Sequence, residues 1–141
     1  MVDDFNILVV QQRQGQRNTL INFLKSKTKA SVLQADKPEK ALEIINMNRR
    51  MELLITDLFL PHKSGLKLIQ KAVEKNSALV PIVLIPSGNR KLVVESLQAG
   101  AHLHAGIPYD FQEIMEVIKN CLEYQKLLRL GVVQRPCLRK S

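Results

Sequence analysis

The sequence predicts an α/β fold: a single doubly wound, five-stranded parallel sheet with helices on both faces. Three observations predict it. Short aliphatic runs alternate strictly with amphipathic stretches, five of each. The runs "NILVV", "ELLITD" and "PIVLI" are apolar almost throughout, as strands covered on both faces require. Helix start and stop signals fall between the runs, at "DKPE", "AG" and "DFQE".

The elements follow in order. "NILVV" (6–10) is the first strand, and "GQRNTLINFLKSK" (15–27) is a helix with Leu20, Ile21 and Leu24 on one face. "SVLQA" (31–35) is a shorter, partly polar strand, suited to a sheet edge. The second helix opens at Asp36, with Glu39 three residues on as a capping box and Pro38 in the first turn. "ELLITD" (52–57) is the third strand, and a helix after it places Leu66, Ile69, Ala72 and Val73 at helical spacing. "PIVLI" (81–85) is the fourth strand, with Pro81 at its start, where a missing donor costs least. "NRKLVVESLQAG" is a helix closed by Gly100, and "AHLHAG" (101–106) is a weak fifth strand. The last helix opens on Asp110 and Glu113 and stops at Gly131. Its apolar side carries Phe111, Ile114, Val117, Ile118, Cys121 and Leu122.

A chain of 141 residues, 45% hydrophobic, is enough for one domain with a sizeable core. Its apolar runs are far short of a membrane span and "MVDDFN" is unlike a signal peptide. Cys121 and Cys137 lie outside any metal-ligand spacing, which suits a reduced, cytoplasmic protein; Cys121 reads as core filler. The formal net charge is +8, and residues 126–141 supply most of it through Lys126, Arg129, Arg135, Arg139 and Lys140, with no acid. The division expected is a domain over 1–125, then 126–141 as the end of the last helix and a basic tail or linker. Such a tail suits nucleic acid or an acidic partner, but a solvated end is the simpler reading.

In open parallel sheets the functional groups gather at the carboxyl ends of the strands. Asp57 closes the third strand there, and Pro61 and Gly65 shape the loop after it, Gly suiting positive φ or a close approach. A half-buried carboxylate needs hydrogen bonds or a cation, so Asp57 is either a loop-bonding residue or a functional one. Arg13, Arg17, Arg90 and Lys91 each follow a strand end, placed to bind an anion or to pair with Asp57. His102 and His104 alternate on one side of a strand but lack a third metal ligand nearby in sequence.

"ITDLFLPHKSGLKLI" resembles the D-x-x-x-P-x-x-x-G segment of response-regulator receiver domains. "NILVV", "ADKPEKALEII" and "AGAHLHAGIPY" resemble that family's first strand, second helix and A-G-A…K-P-F segment, so the resemblance spans about residues 4–125. It implies the flavodoxin-like strand order 2-1-3-4-5 and Asp57 as acceptor of a phosphoryl group from a histidine kinase or phosphotransfer protein. It also implies Mg²⁺ held by Asp57, a residue at Gln12 and the backbone of Phe59.

The remaining positions depart from the family. Gln11 and Gln12 stand where it has an acidic pair, and Arg13 adds a charge of the wrong sign. Ile107 replaces the lysine before Pro108. The hydroxyl position falls on Pro86, or on Ile85 counting back from Gly100, with Ser87 next; His104 takes the place of the switch aromatic. The expectation is a receiver with weakened chemistry, binding Mg²⁺ weakly or not at all, and not an enzyme. The alternative is a pseudo-receiver docking a signalling protein, or a second copy, through its fourth and fifth helices. A nucleic-acid-associated module is a further alternative, though the domain alone is expected to bind neither nucleic acid nor a membrane. The single Gly15 in "QQRQGQR" argues against a phosphate loop.

Overall fold

The computed structural model describes residues 4–48, 50–60, 65–86, 88–101, 103–107 and 110–135; of residues 103, 104, 106 and 107 it describes the backbone alone. The elements run β1 (Asn6–Val10), α1 (Gln14–Lys27), β2 (Ser31–Ala35), α2 (Pro38–Met47), β3 (Leu53–Asp57), α3 (Gly65–Lys75), β4 (Val80–Pro86), α4 (Arg90–Ala99), β5 (Leu103–Ile107) and α5 (Phe111–Arg129). All pairings are parallel. β1 lies between β2 and β3, β4 pairs with β3, and β5 lies outside β4, so the order is β2-β1-β3-β4-β5. The sheet reverses direction of growth between β1 and β3, and the crevice at their carboxyl ends is where such folds place function.

Period-two alternation assigns the strand residues to two layers. Ile7, Val9, Leu53, Ile55, Ile82 and Leu84 face α1 and α5, packing with Leu20, Leu24, Ile114, Ile118 and Cys121. Leu8, Val10 and Leu54 face the other way, onto Ala41, Ile45, Leu68 and Ala72 of α2 and α3. Val83 and Ile85 continue that layer with Leu58 and Ile69, under Leu92 and Val93 of α4. The central strands are therefore buried on both faces, and the outermost β2 shows the exposed Ser31 and Gln34.

Helix ends follow the sequence with two exceptions. Asp110 accepts from the N–H groups of Gln112 and Glu113, and Gly100 closes α4 in the left-handed region at φ 117°. Asp36, however, is not the cap of α2. The N-cap is Lys37, without a side-chain cap bond, because Pro38 at the first helical positions moves the start one residue on. α4 has a cap not read from the sequence, Asn89, whose side chain accepts from the Leu92 N–H at 3.2 Å. α5 ends at Arg129, and Gly131 (φ 75°) turns the chain back toward the α3–β4 connection. His102 and Ser87 lie outside the described residues.

Candidate functional site

The site is built by the β1–α1 turn and the end of β3. β1 and β3 are in register through Val10↔Thr56, so the residues just past each strand end are neighbours. Gln11, fully buried, follows β1 and donates its side-chain Nε2 to Asp57 Oδ1 at 3.2 Å. The backbone N–H of Gln12 donates to Asp57 Oδ2 at 3.4 Å. Both carboxylate oxygens thus accept from the β1–α1 turn.

That turn is itself held. The Gln11 N–H donates to the Ala35 carbonyl at 3.1 Å, tying it to β2. Arg17, in the first turn of α1, donates from one terminal nitrogen to the Gln11 carbonyl at 2.7 Å and from Nε to Gln34 Oε1 at 2.8 Å. Arg17 is therefore bonded to the turn and to β2, not to Asp57; it clamps the turn that presents Gln11. No sequence motif marks this role, although an arginine one turn into a helix that starts just past β1 is within reach of that backbone.

On the far side of Asp57 the structure closes tightly. Gly65, the first residue of α3, donates its N–H to the Leu58 carbonyl at 2.6 Å. A Cβ at this position would overlap the Asp57 carbonyl oxygen and lie 2.9 Å from the Leu58 carbonyl oxygen. Gly65 is required for close approach, not for a left-handed backbone. Thr56 Oγ1 donates to the Asp57 carbonyl at 3.0 Å.

Burial pushes the Asp57 carboxyl above the usual carboxylate range. The Gln11 hydrogen bond, the Gln12 N–H and the Arg13 charge pull it down without cancelling the desolvation. Arg13 acts here through its field: among the described residues no ion pair joins it to Asp57. Lys91 sits 4.0 Å from Glu95, one helical turn along α4.

The structure brings together Asp57, Gln11 and Gln12. Phe59 follows in the loop after β3 and is 65% exposed. Pro86 ends β4 and is exposed; it is in register with Ile107, which ends β5, while His104 lies within β5 opposite Val83. Among the described residues no cluster of three or more His, Cys, Asp or Glu side chains forms.

Comparison with known proteins agrees with this architecture. The family model of the response regulator receiver domain matches residues 7–119. A chemotaxis protein CheY homolog of Campylobacter jejuni is 28% identical over 118 residues, covering 82% of this chain and 91% of the relative. The sporulation initiation phosphotransferase F of Bacillus subtilis is 27% identical over 116 residues, covering 82% and 92%. A receiver domain protein from Clostridium thermocellum superposes with a TM-score of 0.81 at 22% identity, over 88% of this chain and 98% of that one.

Proposed function

The chain belongs to the response regulator receiver family, and we propose that it is a receiver whose phospho-acceptor, Asp57, works with weakened Mg²⁺-dependent chemistry. As a receiver it is a signalling module of two-component systems, not an enzyme in its own right, and receivers partner with histidine kinases and phosphotransferases. We place its action in the cytoplasm, where those partners present their phosphohistidines.

The observation that carries the proposal is the hydrogen bond from Gln11 Nε2 to Asp57 Oδ1. A hard divalent cation seeks oxygen ligands and usually one or two carboxylates. Here the pocket offers one carboxylate, an amide turned with its nitrogen toward that carboxylate, and an exposed Gln12. A cation would have to displace the amide from a buried position and would find one negative charge in return. The residues present do not fit Mg²⁺ well. Phosphoryl transfer is mostly positioning and charge stabilisation, so a lone carboxylate accepts slowly. What this chain's own residues do is orient Asp57: Gln11 and the Gln12 N–H fix its oxygens and partly offset the burial that disfavours its charge, and Arg17 fixes the Gln11 backbone.

The test is the intact-protein mass after incubation with acetyl phosphate and Mg²⁺, using Asp57→Asn as control. The triple variant Gln11→Asp, Gln12→Asp, Ile107→Lys is expected to gain an Asp57-dependent phosphoryl adduct much faster than the parent chain. Equal rates in the two proteins would sink the proposal. A second reading, docking of a signalling protein or a second copy through α4 and α5, draws on the exposed Val94 and Leu97 of α4. A change of oligomeric state in Leu97→Asp, with no dependence on Asp57, would favour it.

A further inference from the structure

The chain beyond α5 is held as a strap against the foot of α3. Gly131 leads it out of the helix, its N–H donating to the Leu128 carbonyl at 3.1 Å and the Val132 N–H to the Leu127 carbonyl at 3.0 Å. Arg135 then donates from one terminal nitrogen, Nη2, to the Ser77 carbonyl at 2.9 Å and to the Leu79 carbonyl. The opposite bank is fixed as well. Asn76 Nδ2 donates to the Met51 carbonyl at 3.2 Å, and Asn76 Oδ1 accepts from the Ala78 N–H at 3.1 Å.

Between strap and helix lies an open cleft of about 340 Å³. Val73, Leu128 and Val133 give it apolar walls, and Ser77, Glu74 and Arg135 line it too. Its banks stand without a ligand, and its volume lies in the range of small-molecule sites, ~300–1,000 Å³. α3 begins at Gly65 against the Asp57 loop and ends here, so this cleft and the Asp57 pocket lie at opposite ends of one helix.

The two charges in the cleft are unpaired. Among the described residues neither Glu74 nor Arg135 has an oppositely charged side chain within 4.0 Å. Arg135 gives its bonds to uncharged carbonyls from a single nitrogen, and its buried Nε has no partner among the described residues. Burial disfavours its charge, with Tyr124 acting the other way. A half-buried cation is costly unless an anion accompanies it. Tying down the strap accounts for Nη2 alone; it leaves the Arg135 charge and Glu74 on the same cleft without a purpose.

We propose that this cleft binds a free aliphatic α-amino acid. Its carboxylate meets Arg135, its ammonium meets Glu74, and its side chain lies against Val73, Leu128 and Val133. Charge complementarity selects this class. A simple anion such as phosphate would match Arg135 but meet Glu74 as a like charge, and it has no use for the apolar walls. An internal stretch of peptide carries neither terminal charge. Only a compact zwitterion with an apolar side chain answers all three features at once.

The experiment is isothermal titration calorimetry of the full chain with L-leucine and with three probes that each lack one feature. Isocaproate lacks the ammonium, isoamylamine the carboxylate, and glycine the aliphatic side chain. Leucine is expected to bind at millimolar concentration or below. Each probe is expected to bind at least about tenfold more weakly, from the loss of one charge-assisted contact or of the apolar burial. Glu74→Gln is expected to weaken leucine about tenfold while isocaproate binds no more weakly than to the parent. Arg135→Gln is expected to weaken both. Thermal unfolding by circular dichroism checks that each variant is folded; Glu74 is exposed and has no ion pair to lose, so its variant carries the test if Arg135→Gln loosens the strap. Asp57→Asn is expected to bind leucine like the parent, which keeps this site separate from the phospho-acceptor. Absence of leucine binding at millimolar concentration overturns the proposal. So does isocaproate or glycine binding as tightly as leucine, or unchanged leucine binding in Glu74→Gln.

Discussion

Replacing Gly65 by Ala is expected to destabilise the domain by about 2 kcal/mol, against the ordinary rule for a helical glycine. At an unconstrained helix position that change stabilises by roughly 0.5–1 kcal/mol, because the unfolded chain has less freedom to lose. Here the added methyl would overlap the Asp57 carbonyl oxygen and stand 2.9 Å from the Leu58 carbonyl oxygen and 3.0 Å from Leu58 Cα. Ordinary contact begins near ~3.5 Å. All three obstacles are backbone, and the Gly65 N–H is bonded to that same Leu58 carbonyl at 2.6 Å, so neither side recedes alone. Overpacking costs about 1–3 kcal/mol, and rigid backbone places this case near the upper end. Subtracting the propensity gain leaves about 2 kcal/mol. For 141 residues, unfolding entropy of roughly 2.1 cal/mol/K per residue converts this to a fall of about 7 °C in Tm. Thermal and urea melts followed by circular dichroism measure it. A Gly65→Ala protein as stable as the parent, or more so, would refute the close approach at the foot of the Asp57 loop.

Three further outcomes follow from named contacts. Because burial raises the folded-state pKa of Asp57, the folded protein holds that proton more tightly than the unfolded chain. The stability contributed by the protonated carboxyl is therefore lost as pH rises from the ordinary value of 3.8 through the raised one. Asp57→Asn is expected to gain stability relative to the parent over that rise and to hold a constant advantage above it; urea midpoints across pH that stay parallel would contradict this. Ile118→Ala empties a fully buried position between α5 and the sheet and is expected to cost about 2–5 kcal/mol; a loss under ~1 kcal/mol would mean that α5 is not packed there. Arg135→Ala removes the donors to the Ser77 and Leu79 carbonyls and is expected to lower stability by about 1 kcal/mol. Since those acceptors are uncharged, the loss should persist in high salt, and its disappearance there would point to an ion pair instead.

The strand positions were legible because the signal is local and repeated. "NILVV" and "SVLQA" are strands over the residues read, and Ile114, Ile118 and Cys121 are the buried face of α5 as their spacing requires. The parallel α/β architecture follows from the alternation alone. Helix starts were less legible. Asp36 has the residue type of a cap, but Pro38 two residues on fixes where the helix begins, and a capping pattern does not weigh those two signals against each other. At the site, Asp57 was found from its place at a strand end, and Gln11 and Gln12 from the resemblance to the receiver family. The roles of Arg17 and Arg135 were not, since each acts on backbone carbonyls distant in the chain. A guanidinium bonded to a carbonyl leaves no pattern of complementary residue types.

The Asp57 pocket shows why losing acids from such a site need not leave it unstable. Two more carboxylates beside Asp57 would add like charge to a buried group and raise the cost of ionising it, unless a cation were present. With Gln11 in place of an acid, the repulsion is absent and its amide N–H takes up one carboxylate oxygen. The Gln12 N–H serves the other oxygen, and the Arg13 charge adds to both. Desolvation still dominates, so the carboxyl remains above its ordinary range. The same hydrogen bond that settles Asp57 is what a metal would have to break. On the function proposed above, a pocket held this way would give up part of the differential affinity between empty and loaded states that a phosphorylation switch draws upon.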